Sequence, residues 1–183
     1  MRKSIRMILV LAIVGFVSGG SLALVYKYAL PQIEFNQKKE LDAAIFKVFS
    51  QGKEYEVITE EDETFFKVLD KRKNLLGYAF IAEGNGYQGV IKLMVGIKSD
   101  LNTLSGMEVL ESVETPGLGG EITNQDFKKQ FVNLRTIPEI VCVKTKPTKS
   151  NEIQAITAAT ISSKSVVNII NERIEKIRNL LKR

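Results

Sequence analysis

The sequence contains no histidine, no tryptophan and a single cysteine among its 183 residues. Without histidine there is no Ser-His-Asp triad and no histidine general base, and an ordinary zinc site is excluded. A lone cysteine cannot close an intramolecular disulfide or hold an iron–sulfur cluster by itself. Alternating apolar residues in "EIVCVKT" (139–145) predict that Cys142 lies in a strand as a buried structural thiol. The side chains of this protein therefore offer few routes to catalysis of their own.

Strong positive charge is absent from most of the chain, although the net charge is +5. Residues 1–27 hold four basic and no acidic residues, so subtracting these four charges leaves +1 for residues 28–183. A charge this small does not produce the basic surface that attracts phosphate backbones. We therefore expect no nucleic-acid partner.

A long uncharged run lies near the N-terminus. Residues 7–26, "MILVLAIVGFVSGGSLALVY", would form a helix of roughly 30 Å, which matches the hydrocarbon thickness of a bilayer. Basic residues at positions 2, 3 and 6 precede the run, and positive charge stays on the cytoplasmic side. The pattern predicts a single-pass anchor over residues 1–27 in the plasma or inner membrane, in contact with lipid. The N-terminus would be cytoplasmic and the remaining chain extracytoplasmic.

A cleaved secretory signal is the alternative interpretation of this run. "SLA" at 21–23 is an acceptable small-residue cleavage site, but the apolar run is longer than the usual signal core of about 7–15 residues. We favour the uncleaved anchor. Both interpretations export the domain if the cell is bacterial.

Hydropathy periodicity predicts an α+β fold in which helices flank a mostly antiparallel sheet. Residues 28–40 form the link and the start of the first helix, and residues 41–183 form one extracytoplasmic domain of ordinary size. Helices are predicted over 35–49, over 123–133 with Thr123 as the N-cap, and over about 160–181. Strands are predicted over 53–58, 64–70, 74–84, 89–97, 105–114 and 139–145.

"GNGYQG" at 84–89 satisfies the dinucleotide pattern G-x-G-x-x-G. That fingerprint also requires a helix to begin there, with its N-terminus facing the pyrophosphate. The next residues, "VIKLMVGI", are β-branched and alternating, which is typical of a strand. We interpret this segment as a glycine-rich hairpin connection.

"ETPGLGGE" at 114–121 is a second unusual segment. Pro116 fixes one φ angle, and the three glycines permit positive φ and a close approach of the backbone to another group. A tight turn explains one or two of these glycines. Leu118, held between two of them, would also suit contact with a flat ligand, and the residues alone leave both interpretations open.

"QAITAATISSKSVVN" at 154–168 places several hydroxyls at a helix start. The N-terminus of a helix has unpaired N–H groups and a partial positive charge. One hydroxyl is enough for a cap, whereas several hydroxyls among small alanines suit a phosphate group. Capping alone and phosphate binding both remain open from the chemistry.

Taken together, these segments resemble the FMN-binding G subunit of the Rnf electron-transport complex, which is related to the C subunit of the sodium-translocating NADH:quinone reductase. The family motif is an acidic residue, two residues, then Ser/Thr-Gly-Ala-Thr-x-Ser/Thr, and "QAITAATISS" lies over it. "GYAFIAEGNGYQGVIKLMVGI", "EVLESVETPGLGGEI" and the anchor also match. Gln154 replaces the usual acidic residue, and Ala158 replaces the usual glycine.

The resemblance implies that Thr160 is joined to FMN by a phosphoester bond, made by a flavin transferase that uses FAD and releases AMP. It further implies that the turn at 114–119 lies against the isoalloxazine ring. The cofactor-binding residues it implies are Thr160, Thr157, Ala158, Ala159, Ser163, Glu114, Thr115, Gly117, Leu118 and Gly119. If the family glycine adopts a positive φ, Ala158 carries a strain of about 1–2 kcal/mol. If the transferase requires the acidic group, Gln154 weakens attachment.

The function implied by the resemblance is an electron relay without stand-alone catalysis. The protein would pass electrons through FMN between other membrane and peripheral subunits of an Rnf-type complex, which couples ferredoxin and NAD⁺ to ion movement. Two alternatives differ in class. The first is a stand-alone extracytoplasmic flavin reductase, and the second is a non-redox anchored binding module whose hydroxyl cluster is only a cap.

Overall fold

The computed structural model describes residues 2–61 and 63–181, which divide into two compact units between Asp42 and Ala43. The first unit consists of helix α1 (Arg2–Val48) up to that boundary. Its apolar part is long enough to cross a membrane, and none of that part is covered by protein. It is the one such helix among the described residues.

Helix α1 differs from the predicted separate helix over 35–49, because residues 28–40 are also helical. Pro31 lies inside the helix, where it removes one backbone hydrogen bond. The last six residues of α1, 43–48, belong to the second unit and include the buried Ala44, Ile45 and Val48.

The second unit is built on a five-stranded antiparallel meander, which confirms the predicted mostly antiparallel sheet. Its strands follow chain order across the sheet: β1 (Glu54–Glu60), β2 (Glu63–Leu69), β3 (Leu75–Asn85), β4 (Val90–Lys98) and β5 (Leu104–Ser112). The predicted glycine-rich connection is confirmed as the β3–β4 hairpin, in which the Gly86 N–H donates to the Gly89 carbonyl at 2.7 Å. This hairpin excludes a dinucleotide loop at 84–89, since a strand follows where a helix would have to begin.

Both faces of the sheet are covered, because successive strand residues point to opposite sides. Val95 and Ile97 of β4 join the main core, together with Ile170 of helix α3 (Thr160–Leu181). Between them, Gly96 faces Val48 and Phe49 at the end of α1. Strand β4 is therefore buried without interruption from Leu93 to Ile97.

Helix α3 begins at Thr160, as the sequence predicted, and is helical as far as Leu181, the last residue that the structure describes. Leu181 is partly buried, and most of the other apolar residues of the helix are buried, namely Val166, Val167, Ile169, Ile170, Ile174 and Ile177. The helix predicted over 123–133 is shorter than expected and forms only as α2 (Gln125–Lys129); a 3₁₀ helix (Gly119–Thr123) precedes it. The prediction of Thr123 as the N-cap was wrong, because Asn124 occupies that position and the Thr123 hydroxyl donates to the Gly120 carbonyl.

The strand predicted over 139–145 is shorter than expected. Only β6 (Val141–Val143) forms, and it pairs in parallel with β7 (Glu152–Gln154) outside the large sheet. Cys142 is partly buried against the core. Burial raises the pKa of its thiol, against a smaller opposing effect of the Lys164 charge.

Truncating Ile170 tests the packing of α3 on the sheet. Ile170 is fully buried, so Ile170→Ala should lower the free energy of unfolding by about 2–5 kcal/mol. Urea unfolding of the full chain in detergent, followed by circular dichroism, measures this change. Val57→Ala is the control because Val57 is 60% exposed, and an equal loss in both variants would contradict the packing described.

Candidate functional site

One cleft of about 410 Å³ lies where three segments of the second unit meet. The segments are the tip of the β3–β4 hairpin, the turn that follows β5, and the start of α3. The cleft is lined by Tyr87, Glu114, Thr115, Leu118, Gly119, Ala158, Ala159, Thr160, Ile161 and Ser162. The two sequence segments that suggested a ligand are therefore adjacent in space.

The α3 wall presents the first turn of a helix. Thr160 is the first helical residue, it is partly buried, and it lines the cleft. The first N–H groups of a helix have no intrahelical acceptor, and the helix dipole gives them a partial positive charge. A negatively charged group beside Thr160 would therefore be stabilised.

Ala158 adopts a left-handed backbone conformation just before this helix, with φ of 64°. This is the conformation that favours glycine, and an alanine Cβ is strained there. The turn that includes Ala158 is closed by the Ala159 N–H, which donates to the Ile156 carbonyl at 3.0 Å. The tight turn brings Ala158 and Thr160 into the same cleft wall.

The turn after β5 forms the second wall. The Thr115 carbonyl accepts the N–H groups of Leu118 at 3.1 Å and Gly120 at 2.9 Å. Gly117 takes a positive φ of 75°, as its neighbours in the sequence indicated. Leu118 is 45% exposed and lines the cleft, so its side chain offers an apolar contact surface.

Glu114 is the charged residue buried at the junction of the three walls, with 7% exposure. One carboxylate oxygen, Oε1, accepts the N–H groups of Tyr87 at 2.7 Å and Gln88 at 2.9 Å. The other, Oε2, accepts the Ser162 hydroxyl at 2.6 Å. One side chain thus connects the hairpin tip, the turn and the first turn of α3.

Two glycines make room for this carboxylate. A Cβ on Gly86 would collide with Glu114 Oε1 and with the Ile91 side chain. A Cβ on Gly119 would collide with Glu114 Oε2 and would lie 2.6 Å from the Ser162 Oγ. One glycine from each of the two glycine-rich segments therefore packs against the same buried group.

Burial and hydrogen bonding act in opposite directions on the pKa of Glu114. Burial raises it, whereas the hydrogen bonds from Ser162, Gln88 and Tyr87 lower it. The hydrogen bonds prevail, and the pKa lies below the ordinary value of 4.5. Glu114 is therefore ionised at neutral pH.

Seven of the ten residues proposed from the sequence line the cleft: Glu114, Thr115, Leu118, Gly119, Ala158, Ala159 and Thr160. The other three lie outside its lining. Gly117 and Thr157 are exposed. The Ser163 hydroxyl is buried, where it donates to the Ala159 carbonyl at 2.9 Å and accepts the Ile156 N–H at 3.0 Å.

Three lining residues are absent from the ten proposed, Tyr87, Ile161 and Ser162, although Ser162 belongs to the hydroxyl cluster noted at 154–168. Tyr87 stands within "GNGYQG", which was interpreted only as a hairpin connection. Ser162 and Ile161 follow Thr160 directly, and helical geometry brings them to the same end. Among the described residues, no group of three or more acidic or cysteine side chains could hold a metal ion.

Comparison with known proteins gives two agreeing relationships. Residues 86–175 match the model of the FMN-binding domain, and this range contains every residue that lines the cleft. The chain is 31% identical over 181 residues to the G subunit of the ion-translocating oxidoreductase complex of Methanosarcina acetivorans, covering 94% of this chain and 93% of that protein.

The chain belongs to the family of Rnf G subunits. It is also 35% identical over 131 residues to the G subunit of the Na(+)-translocating ferredoxin:NAD(+) oxidoreductase complex of Acetobacterium woodii. That match covers 69% of this chain and 62% of the relative. The resemblance noted in the sequence is thereby confirmed.

The fold of this member of the Rnf G-subunit family is shared with a solved structure. The crystal structure of Shewanella oneidensis NqrC superposes with a TM-score of 0.55 at 21% sequence identity, covering 63% of this chain and 61% of that chain. This likeness confirms the predicted α+β architecture.

The volume, the lining and the charge of the cleft fit an FMN group. Its volume falls within the range of about 300–1,000 Å³ typical of small-molecule sites. Apolar side chains from Leu118, Ile161 and Tyr87 line it, which suits an aromatic ring system. The helix start at Thr160 supplies the positive end of a dipole for a phosphate.

Replacing Ala158 with glycine should stabilise the fold. Glycine relieves about 1–2 kcal/mol of strain in the left-handed conformation. Its greater freedom in the unfolded chain offsets about 0.4–1 kcal/mol of this relief, so the free energy of unfolding should rise by about 0.5–1 kcal/mol. Urea unfolding measures it. Ala155→Gly is the control, because Ala155 has no positive φ and should lose stability. A loss of stability in Ala158→Gly would contradict the strained conformation.

The low pKa of Glu114 predicts a stability contribution that depends on pH. The contribution is present above the unfolded-state value, near 4.5, and disappears as pH falls through the lower folded-state pKa. Unfolding free energies of the wild type and Glu114→Gln, measured between about pH 3 and pH 6, should converge toward the acid end. A difference that stays constant across this range would contradict an ionised, hydrogen-bonded Glu114.

Proposed function

We propose that this protein is a membrane-anchored electron-transfer subunit of an Rnf-type ion-translocating complex, and that FMN is attached covalently to Thr160. The observation that carries the proposal is the position of Thr160, the first residue of α3, in the wall of an apolar cleft. Family membership supports the choice of FMN and of the complex. When bound, FMN supplies the capacity to accept and release electrons singly.

The attachment would use the Thr160 hydroxyl as the acceptor. Its oxygen forms a bond to the FMN-side phosphorus of FAD, and its proton passes to the flavin transferase. The bond between that phosphorus and the oxygen bridging to the AMP phosphorus breaks, and AMP leaves with the bridging oxygen. The chain contains no histidine to act as a base, so the transferase would catalyse this step.

The cleft residues would hold the attached group in two ways. The N-terminus of α3 stabilises the remaining phosphate charge by about 0.3–1 kcal/mol. Leu118, Ile161 and Tyr87 provide apolar surface that excludes water from the ring. Glu114 is held at the back of the cleft by its own hydrogen bonds.

The proposed location places the second unit outside the cytoplasm. The apolar part of α1 would span the membrane, and the basic residues at positions 2, 3 and 6 would keep the N-terminus in the cytoplasm. A covalent bond is suited to this location, because lost FMN could not easily be recaptured there. The neighbouring redox partners would be other subunits of the complex, with the ferredoxin and NAD⁺ couple reacting elsewhere in it.

Removing the acceptor hydroxyl tests the attachment site. The full chain is expressed with its flavin transferase, denatured and run on a gel, and flavin fluorescence is recorded. The wild type should give a fluorescent band, and Thr160→Val should give none because the acceptor oxygen is missing.

Thr145→Val is the matched control. Thr145 is exposed and stands outside both the cleft lining and the attachment motif, so the band of this variant should persist. A band that survives in Thr160→Val would place the attachment elsewhere. A wild type without fluorescence, beside a fluorescent positive control, would overturn the covalent flavin and favour the non-redox module.

A further inference from the structure

We propose that Glu114 is a positioning residue that fixes the three walls of the cleft relative to one another and so sets the geometry of Thr160 for flavin attachment. This inference rests on the proposed function. It differs from the sequence-based expectation that Glu114 contacts the flavin ring. Its basis is the set of contacts that the carboxylate makes with the protein itself.

The carboxylate accepts hydrogen bonds from three donors, and the three come from two different cleft walls. The hairpin tip donates two backbone N–H groups, from Tyr87 and Gln88, to one oxygen. The start of α3 donates the Ser162 hydroxyl to the other oxygen. The backbone of Glu114 itself leads into the third wall at Thr115. Hydrogen bonds to an ionised group are about twice as strong as neutral ones, so this connection is firm.

The packing around the carboxylate leaves it little freedom to move. Gly86 and Gly119 approach it so closely that a Cβ at either position would collide with one of its oxygens. Glu114 is 7% exposed, so most of its surface is in contact with protein. The carboxylate therefore fixes the first turn of α3 relative to the hairpin tip.

Thr160 depends on this connection because it lies two residues before Ser162 in the same helical turn. If the Ser162 contact is lost, the helix start is no longer held against the hairpin tip. An error of about 1 Å in the position of a reacting group can lower a rate by about a hundredfold. The structure thus assigns Glu114 an indirect role, exerted through Ser162 and the hairpin tip.

Two substitutions separate the connection from the charge. Glu114→Ala removes both. Glu114→Gln removes the charge but can keep the connection, because the amide oxygen accepts both N–H groups and the amide nitrogen donates to the Ser162 oxygen. Glu111→Ala is the matched control, since Glu111 is an exposed strand residue whose carboxylate pairs with Lys92 at 3.5 Å.

The experiment uses the full chain in detergent with its flavin transferase and FAD. The initial rate of attachment is read from in-gel flavin fluorescence, and the visible circular dichroism of the attached flavin reports how firmly the cleft holds it. The thermal unfolding midpoint of each variant before attachment is measured as a check of folding. Glu114→Ala should lower the rate about tenfold or more and weaken the dichroism, while Glu114→Gln and Glu111→Ala stay near the wild type.

Three results would overturn the inference. Glu114→Ala that folds and keeps both the rate and the dichroism would reduce Glu114 to a purely structural residue. Glu114→Gln that is folded and loses as much of the attachment rate as Glu114→Ala would show that the charge matters and the connection does not. If Glu111→Ala folds and loses as much of the attachment rate as Glu114→Ala, the effect is not specific to Glu114. A wild type that carries no covalent flavin would instead overturn the proposed function.

Ser162→Ala gives a second test if Glu114→Ala does not fold, because it removes only one of the three hydrogen bonds. Its rate should fall, but by less than in a variant that loses all three. Where both single variants fold, adding Ser162→Ala to Glu114→Ala should lower the attachment rate little further, since the Ser162 hydroxyl has already lost its partner. If the two substitutions lower the attachment rate by independent factors that multiply, or if Ser162→Ala keeps the wild-type rate, the proposed role of the Glu114–Ser162 hydrogen bond is wrong.

Discussion

The hydrogen bonding of one buried carboxylate organises the site of this protein. Glu114 joins backbone groups 27 and 26 residues before it to a hydroxyl 48 residues after it. A buried charge is unfavourable unless it is hydrogen-bonded, so the fold must supply these donors wherever Glu114 is placed. The glycine-rich segments follow from the same requirement, because Gly86 and Gly119 leave the space that the carboxylate occupies. The hydrogen-bond donors and the space that the Glu114 carboxylate requires thus determine how the cleft walls are arranged.

The second constraint is the abrupt entry into the terminal helix. Ala158 turns the chain through a left-handed conformation, and the helix then begins at Thr160 inside the cleft wall. Glycine would adopt this conformation without strain, so its replacement by alanine lowers stability but preserves the geometry. The hydroxyl of Ser163 supports the turn from within by bonding backbone on both sides of it. Several hydroxyls gather at this helix start because one supports the turn, one reaches Glu114, and one faces the cleft.

Much of the architecture could be predicted because it follows local rules. Apolar periodicity predicted helix α3 and the strands. The residues after "GNGYQG" alternate as in a strand rather than a helix, and this pattern identified the hairpin. The strand around Cys142 was predicted too long, since alternation does not show that β6 finds only a three-residue partner. Seven of the ten proposed residues line the cleft, and they belong to the two segments with unusual composition. Tyr87 was missed because only the fold brings the hairpin tip to α3. Ser163 was included because a hydroxyl that faces inward looks the same in sequence as one that faces a ligand.

The central claim joins this geometry to chemistry: the Thr160 oxygen, placed in an FMN-sized cleft at the positive end of a helix, carries the cofactor by a covalent bond. The most direct measurement is the intact mass of the protein purified from its own membranes, followed by the mass of the peptide that contains residue 160. The account predicts a protein heavier than its sequence by one FMN less one water, with the added mass on Thr160. A protein whose mass equals that of its unmodified sequence, or a modified peptide from another part of the chain, would contradict it.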